Sequence, residues 1–222
     1  MGGRGSQYTD VGVMVDMAGG SGSDKSRSIP VAGLTPSSNG TSLRYTSVSA
    51  TLSSLEKNAL KLDHEQLKII DKDGFVIHAV DGNKGSVGFA GGESKVKGNV
   101  VTHNHPRDDS KMNGGTFSEG DISSLSMGMS EMRASAREGT YSLKAGRKAN
   151  PTGFYNSLVS SSTKTELNKK MLVAGRKVNP KNYSNKTDYH TAVFNAQLKV
   201  YHNWYKANAS KYGYTYTFTK NS

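Results

Sequence analysis

The spacing of apolar and polar residues predicts a mixture of helices and strands from about residue 48 onward. The apolar side chains of residues 48–62 recur near a helical period, and the segment contains serines that could cap a helix. It therefore predicts a short helix. Residues 66–70 and 75–80 are rich in β-branched side chains and flank an Asp-Gly turn signal, which predicts a β-hairpin. Residues 188–211 carry the longest helical pattern, followed by Gly213 near the position where helices commonly end.

The remaining patterned segments predict further elements of both kinds. Residues 118–137 show apolar side chains at helical spacing and predict a helix. The apolar stripe of this helix consists of Ile122, Leu125, Met129 and Met132. A weaker helical pattern covers residues 163–173, within a polar stretch that prolines and glycines interrupt. Short β-rich or alternating runs predict strands at 86–89, 98–102, 139–143 and 214–218.

These elements divide the chain of 222 residues into three parts. Residues 1–47 are rich in glycine and serine and predict a flexible, disordered arm. Residues 48–145 predict an α/β (α+β) domain in which helices flank a mixed β-sheet. Residues 146–222 predict a basic, mainly helical C-terminal region. The chain is long enough for the central domain to bury a real core.

The net charge of +11 is concentrated in the C-terminal region. From Lys144 onward there are 14 Lys and Arg against 2 Asp and Glu, a net charge of +12, whereas the first 143 residues carry 15 and 16, a net of −1. Such a surface suits a polyanion, either nucleic acid or an acidic partner, although a solvated lysine-rich face gives the same count. No aromatic-basic recognition motif accompanies it.

The lack of cysteine and the distribution of apolar residues exclude several classes of protein. Without thiols there are no disulfides, and any metal must be held by His, Asp or Glu. No run approaches the roughly 18 apolar residues of a membrane span, and the first thirty or so residues lack the pattern of a secretory signal. The sequence therefore predicts a cytoplasmic protein with no membrane partner.

Two short segments carry the residue types of a divalent-metal site. The first is Thr-His-Asn-His-Pro, in which His103 and His105 point to the same side of a strand while the asparagine between them faces away. The second places Ser118 three residues before Asp121, the spacing of a helix N-cap and its N3 residue. Two imidazoles and one carboxylate leave the fourth position of a tetrahedral Zn²⁺ open for water, as in catalytic sites. The same ligands accept manganese, nickel or iron.

Water at such a site needs a base, and Glu65, just before the strand at 66–70, is the candidate. The alternative for Glu65 is an exposed carboxylate at the start of a strand. Glu56, inside a predicted helix, and Glu93, in a glycine-rich loop, are weaker candidates for the base. The hydroxyl of Ser118 either caps the helix or donates a hydrogen bond to a developing oxyanion.

Glu65, the His-Asn-His-Pro segment and the Ser-Glu-Gly-Asp segment together resemble the JAB/MPN (JAMM) metalloprotease superfamily, most closely its RadC-like and phage-borne branches. The resemblance covers about residues 65–143. It implies a JAMM-like fold in which His103, His105 and Asp121 hold zinc. It further implies that Glu65 is the acid/base, that Ser118 stabilises the oxyanion, and that metal-activated water hydrolyses a peptide or isopeptide bond in a protein or peptide substrate.

The sequence departs from the family pattern in one loop. Eleven residues separate Pro106 from Ser118, where the family commonly has about six or seven, and the extra polar residues predict a surface loop that leaves the ligands in place.

The Met-Gly-Gly-Arg-Gly start and the basic C-terminal helix also resemble proteins encoded in phage head-gene clusters. That resemblance implies that the protein is located in the cytoplasm of a bacterial host or is associated with a virion.

Two other functions fit the same residues. In the first, the fold belongs to a catalytically silent phage or prophage protein, structural or DNA-binding, whose basic C-terminal region carries the function. In the second, the ligands serve a metal-dependent nuclease. A deaminase fits less well, because deaminases usually add thiolate ligands that this chain lacks.

Overall fold

In the computed structural model, residues 48–106 and 115–221 are described, and they form a six-stranded mixed β-sheet with five α-helices. The predicted α+β class and the mixed sheet flanked by helices are confirmed. The arm predicted at 1–47 and nearly all of the surface loop predicted between Pro106 and Ser118 lie outside the described residues.

The sheet combines strands from the first and the last parts of the described chain. Its strands are β1 (Gln66–Ile70), β2 (Val76–Asp81), β3 (Val100–Asn104), β4 (Glu131–Ala136), β5 (Gly139–Ala145) and β6 (Tyr214–Lys220). Their order is β2-β1-β3-β4-β5-β6, and every neighbouring pair is antiparallel except β3 and β4, which are parallel. The predicted hairpin is confirmed by the pairing of β1 with β2.

The helices cover the two faces of the sheet unequally. They are α1 (Val48–Ala59), α2 (Glu119–Ser124), α3 (Pro151–Val159), α4 (Ser161–Arg176) and α5 (Lys186–Asn208). On one face, α2 to α5 bury the larger apolar core, which includes Val101, Met132 and Leu143. On the other face, α1 packs Leu52 and Leu55 against a smaller cluster that contains strand residues of β1 and β2.

The helix predicted at 118–137 is wrong in its second half. α2 ends at Ser124 and a 3₁₀ turn continues to Met127. Gly128 then adopts a left-handed conformation with φ of 80°, which ends the helical path, and the chain enters β4. Met132 fits a helical stripe by spacing alone, but it is buried in a strand that pairs with β3 and β5. Pairing with two neighbouring strands outweighed the local periodicity.

The strand predicted at 86–89 is also wrong. Ser86 closes a turn, in which its carbonyl accepts a hydrogen bond from the N–H of Asn83 at 2.9 Å. Val87 and Phe89 pack half-buried against the larger core from an irregular segment. Their apolar character therefore reflects core packing without a strand partner.

The C-terminal region is more regular than its pattern predicts. The helix predicted at 163–173 lies within α4, and α3 was not predicted at all, because Pro151 and Gly153 look like helix breakers. Pro151 is instead the first residue of α3, directly after the N-cap Asn150. An N–H at this position has no partner within the helix, so its absence in proline costs nothing. β6 pairs with β5 along its whole length, so the regions on both sides of the predicted boundary at 145 share one sheet.

None of the helices in the described ranges has both the length and the apolar character needed to cross a membrane.

Candidate metal centre

The two histidines of the Thr-His-Asn-His-Pro segment lie on and just after the central strand β3. His103 is buried and pairs with Leu67 on β1 and Ala134 on β4. The backbone N–H of His105 donates to the carbonyl of Ser135 at 2.8 Å, which extends the pairing with β4. The Nε2 atoms of His103 and His105 are 2.9 Å apart. Strand alternation therefore brings the two imidazoles together on one face, as predicted.

Asp121 is held in place by Ser118 at the start of α2. Ser118 is the N-cap, and its Oγ accepts a hydrogen bond from the N–H of Asp121 at 3.1 Å. In return, Oδ2 of Asp121 accepts from both the N–H and the hydroxyl of Ser118, each at 2.8 Å. This reciprocal capping box confirms the predicted spacing and fixes the orientation of the carboxylate.

The three side chains present their ligand atoms to one point. Oδ1 of Asp121 lies 3.1 Å from Nε2 of His103, and Oδ2 lies 3.6 Å from Nε2 of His105. One ligand atom from each residue lies within 4.8 Å of the others. In a tetrahedral zinc site with bonds of about 2.0–2.1 Å, neighbouring ligand atoms are roughly 3.3 Å apart. The group could therefore hold a metal ion with little rearrangement.

A hydrogen bond behind His105 suits a metal ligand. Nδ1 of His105 is 2.9 Å from the carbonyl oxygen of Gly115. A carbonyl can only accept, so Nδ1 carries the proton and Nε2 of the neutral ring keeps its lone pair toward Asp121. Metal-binding histidines in proteins are usually oriented in this way.

Burial disfavours the charged forms of His105 and Asp121, but the charges around each residue outweigh burial. The hydrogen bond and the charge of Asp121, together with the charge of Glu65, raise the pKa of His105 to about 9. The charge and hydrogen bonding of His103 and His105 hold the pKa of Asp121 well below its usual range. The carboxylate is therefore ready to bind a cation, whereas His105 must first release a proton.

Glu65 lines the same cavity as the three ligands. Its N–H donates to the carbonyl of Asn83 and its carbonyl accepts from the N–H of Gly82, both at 2.8 Å, so its backbone continues the pairing of β1 with β2. Burial raises the pKa of its carboxyl, against the opposing charges of His105 and His103. A raised pKa is what a carboxyl needs in order to take up a proton and give it back.

Asn104, between the two histidines, anchors the chain on both sides of Glu65. It is 1% exposed and lies on the opposite face of β3. Its Oδ1 accepts from the N–H of Gln66 at 2.7 Å, and its Nδ2 donates to the carbonyl of His64 at 2.9 Å and to that of Ala59 at 3.1 Å. The sequence shows only that Asn104 faces away from the ligands, and nothing in its local pattern identifies these partners.

The cavity beside the ligands has a volume of about 270 Å³. Its lining joins the ligands, Glu65 and Ser118 to residues of the C-terminal helices. The residues that α3, α4 and α5 contribute are Leu158, Met171, Gln197, Leu198, Tyr201 and Tyr205. The sequence does not predict that the basic C-terminal region completes the site. No local signal could have shown this, because the contacts join segments far apart in the chain.

Two contacts connect the C-terminal helices to the segment that carries Ser118 and Asp121. The hydroxyl of Tyr205, which is fully buried, donates to the carbonyl of Phe117 at 3.0 Å. Lys164 forms an ion pair with Glu119 at 2.9 Å. One contact holds the residue before the N-cap of α2 and the other holds its first residue, so α4 and α5 help to position the carboxylate ligand.

The remaining candidate residues occupy different places. The hydroxyl of Ser118 has one proton, which it donates to Asp121, so donation to a substrate oxygen would have to replace that bond. Glu56 is paired with Arg133 on the α1 face of the sheet, and Glu93 is exposed in a 3₁₀ turn. Of the three candidate bases, Glu65 is therefore the one that lines the cavity with the ligands.

The other histidines of the described chain have partners away from the ligands. His64 contacts Asp63 and Asp81, Nε2 of His78 is 2.8 Å from the carbonyl of Phe89, and His202 contacts the hydroxyl of Tyr216.

Comparison of the chain with family models, with curated proteins and with solved structures finds no match.

Proposed function

We propose that the protein is a zinc-dependent hydrolase, resembling JAMM metalloproteases, that cleaves a peptide or isopeptide bond. The observation that carries the proposal is the convergence of His103, His105 and Asp121 beside the half-buried Glu65, which lines the same cavity. Two imidazoles and a carboxylate match the donor set of catalytic zinc sites, in which three protein ligands leave one position for water or substrate.

The chain's own residues hold the metal and handle the proton. A bound divalent ion supplies Lewis acidity, which lowers the pKa of water and polarises a substrate carbonyl. Glu65 then accepts the proton of the attacking water on a carboxylate oxygen and returns it to the leaving amine. Ser118 holds the carboxylate of Asp121 through the capping box, so its first role is to orient a ligand.

The cavity indicates the kind of substrate. Its volume of about 270 Å³ is just below the range of about 300–1,000 Å³ that is typical of ligand pockets, which suits part of an extended chain. The C-terminal helices line it with the apolar side chains of Leu158, Met171 and Leu198. We therefore expect an apolar side chain next to the scissile bond. This lining favours a peptide over the phosphodiester backbone that a nuclease would hold.

The test compares two glutamate variants of the zinc-loaded full chain on peptide and isopeptide substrates. We expect Glu65→Gln to lower the turnover by at least about 100-fold, since general acid/base groups contribute roughly 100- to 10,000-fold. Glu93→Gln changes an exposed glutamate away from the cavity and should leave turnover unchanged. Metal content is measured for each variant, so that a loss of zinc is not mistaken for a loss of the base.

Equal turnover by the wild type and Glu65→Gln would remove Glu65 from the mechanism. Turnover of single-stranded or double-stranded DNA with no turnover of peptides would favour the nuclease. A zinc-loaded wild type that hydrolyses none of these substrates would favour the catalytically silent phage protein. The proposed setting is the cytoplasm of a bacterial host or a virion, as the resemblance to phage-borne proteins implies.

A further inference from the structure

The connection between α4 and α5 concentrates positive charge at one end of the helix pair. We call residues 176–190 the hairpin tip. The hairpin tip contains four exposed cationic side chains, which are Arg176, Lys177, Lys181 and Lys186. Within the described ranges, none of the four lies within ion-pair distance of a carboxylate. The hairpin tip therefore presents its positive charge to solvent.

The single acidic residue of the hairpin tip is occupied by the start of α5. Oδ2 of Asp188 accepts a hydrogen bond from Nδ2 of Asn185 at 2.9 Å, and its N–H donates to Oδ1 of Asn185 at 2.9 Å. A carboxylate in the first turn of a helix is stabilised by the helix dipole and the free N–H groups there. Asp188 therefore has a structural role and does not pair with the surrounding cations.

Lys186 has no comparable structural explanation. It is the first residue of α5, where the positive end of the helix dipole disfavours a cation. Arg176, by contrast, is the last residue of α4, where the dipole favours it. A lysine that acts against helix stability and also lacks a carboxylate partner in the described chain fits an external anion.

Aromatic rings lie among these cations. The rings of Tyr183 and Tyr189 are 6.1 Å apart, and the ring of His190 is 5.7 Å from that of Tyr189. The two tyrosines are half-buried and His190 is exposed, so each ring keeps part of its surface accessible. Accessible aromatic faces close to cations in the chain are typical of surfaces that stack unpaired bases and neutralise phosphates.

We propose that the hairpin tip binds single-stranded nucleic acid, with Lys177, Lys181 and Lys186 on the phosphates and Tyr183 and Tyr189 stacking on bases. An acidic protein surface would use the cations but leave the rings without a role. A lipid surface would need more apolar area than Leu172 and Val173, the exposed large apolar residues at the end of α4, provide. The proposal does not depend on the metal centre.

The test measures binding of a labelled single strand of about 12 nucleotides to the full chain by fluorescence anisotropy. A chelator is present throughout, so the result is independent of the proposed hydrolase activity. The tip variant carries Lys177→Gln, Lys181→Gln and Lys186→Gln. The control variant carries Lys199→Gln, Lys206→Gln and Lys211→Gln, which removes the same charge from exposed positions on and after α5.

We expect the tip variant to bind at least about tenfold more weakly than the control variant. Each lost phosphate contact should also lower the slope of log affinity against log salt by about 0.7, hence by about 2 for the three substitutions. Tyr183→Leu with Tyr189→Leu should weaken binding while leaving that slope unchanged. Lys186→Gln alone should weaken binding without lowering the unfolding midpoint, because it removes an unfavourable charge from the start of α5.

Three results would overturn the proposal. The first is an equal loss of affinity in the tip and control variants, which would assign binding to overall charge. The second is competition by polyglutamate as effective, per unit charge, as competition by unlabelled DNA, which would point to an acidic protein partner. The third is an absence of binding by the wild type at about 50 mM salt, where phosphate contacts are strong.

Discussion

The side chain of Asn104 accepts a hydrogen bond from the backbone N–H of Gln66 at 2.7 Å. This bond joins β3, which carries the histidines, to the residue that follows Glu65. The second group of the same amide donates to the carbonyl of His64, on the other side of Glu65. A single buried side chain thus sets the position of the candidate base relative to the candidate ligands.

Replacing Asn104 by alanine should separate metal binding from catalysis. Asn104→Ala removes the hydrogen-bond partner of the buried N–H of Gln66 and of the carbonyl of His64, while the carbonyl of Ala59 keeps the N–H of Leu62 at 3.1 Å. We therefore expect a loss of about 2–3 kcal/mol in the free energy of unfolding, measured in urea. Zinc content should stay near that of the wild type, whereas turnover should fall at least about tenfold because Glu65 is no longer held.

Thr102→Val is the matched control for Asn104→Ala. Thr102 is also buried on the α1 face of β3, and its hydroxyl contacts Glu56 at 3.3 Å without contacting the chain near Glu65. We expect a smaller loss of stability and unchanged turnover. Equal turnover losses in the two variants would show that Asn104 acts through general stability alone.

The interaction of His105 with Asp121 predicts how the stability of the metal-free protein depends on pH. Because the pKa of His105 is raised from 6.5 to about 9 on folding, its contribution is complete below about pH 6.5 and is lost as the pH rises through about 9. Asp121 has a lowered pKa, so its contribution is present above about 3.8 and is lost as the pH falls. Both contributions are present between about pH 4 and 6.5.

Urea unfolding in the presence of a chelator checks this dependence. Between pH 6 and pH 9 we expect His105 to contribute a fall of about 3 kcal/mol to the free energy of unfolding of the wild type, while Lys68, whose pKa burial lowers to about 8, acts in the opposite direction. His105→Ala should lose this fall, whereas His190→Ala, which removes an exposed histidine on α5, should keep it. A wild type that loses no more stability than His105→Ala over this interval would contradict the assigned role of Asp121.

The ion pair between Arg133 and Glu56 predicts a purely structural effect. Nε and Nη2 of Arg133 contact the two carboxylate oxygens of Glu56 at 2.5 and 3.0 Å, and this pair joins α1 to the sheet. Arg133→Met would leave Glu56 buried without its partner and should cost about 3 kcal/mol in urea unfolding. Adding Glu56→Gln should recover part of that loss.

Lys170→Met provides the control for the buried ion pair. Lys170 pairs with Glu166 on the exposed surface of α4, where solvent screens the pair and it contributes little to stability. Neither Arg133→Met nor Lys170→Met should change the zinc content. A cost for Arg133→Met as small as that for Lys170→Met would show that the buried pair does not hold α1.

The hydroxyl of Tyr205 predicts a link between the C-terminal helices and the metal centre. Tyr205→Phe removes the hydrogen bond to Phe117 and should cost about 1–2 kcal/mol of stability. Because Phe117 precedes Ser118, we also expect zinc affinity to fall up to about tenfold by calorimetric titration. The control is Tyr141→Phe. The hydroxyl of Tyr141 donates to Glu138 at 2.8 Å, so its removal should cost similar stability without weakening zinc binding.

The ligand geometry could be predicted from sequence because it depends on contacts between near neighbours. Strand alternation brings His103 and His105 together, and a three-residue helix cap orients Asp121. The contact of Asn104 with Gln66 spans 38 residues and that of Tyr205 with Phe117 spans 88, so no local pattern contains them. β4 was predicted as helix for the same reason, since its partners β3 and β5 decide its conformation.

The metal content of the purified full chain tests the central claim most directly. After loading with excess zinc and removal of free metal, elemental analysis should find about one zinc ion per wild-type chain and almost none in His103→Ala. His78→Ala, which changes a histidine that contacts the carbonyl of Phe89, should retain the wild-type content. A wild-type chain without stoichiometric metal, or a His103→Ala variant that keeps it, would contradict the assignment of His103, His105 and Asp121 as ligands.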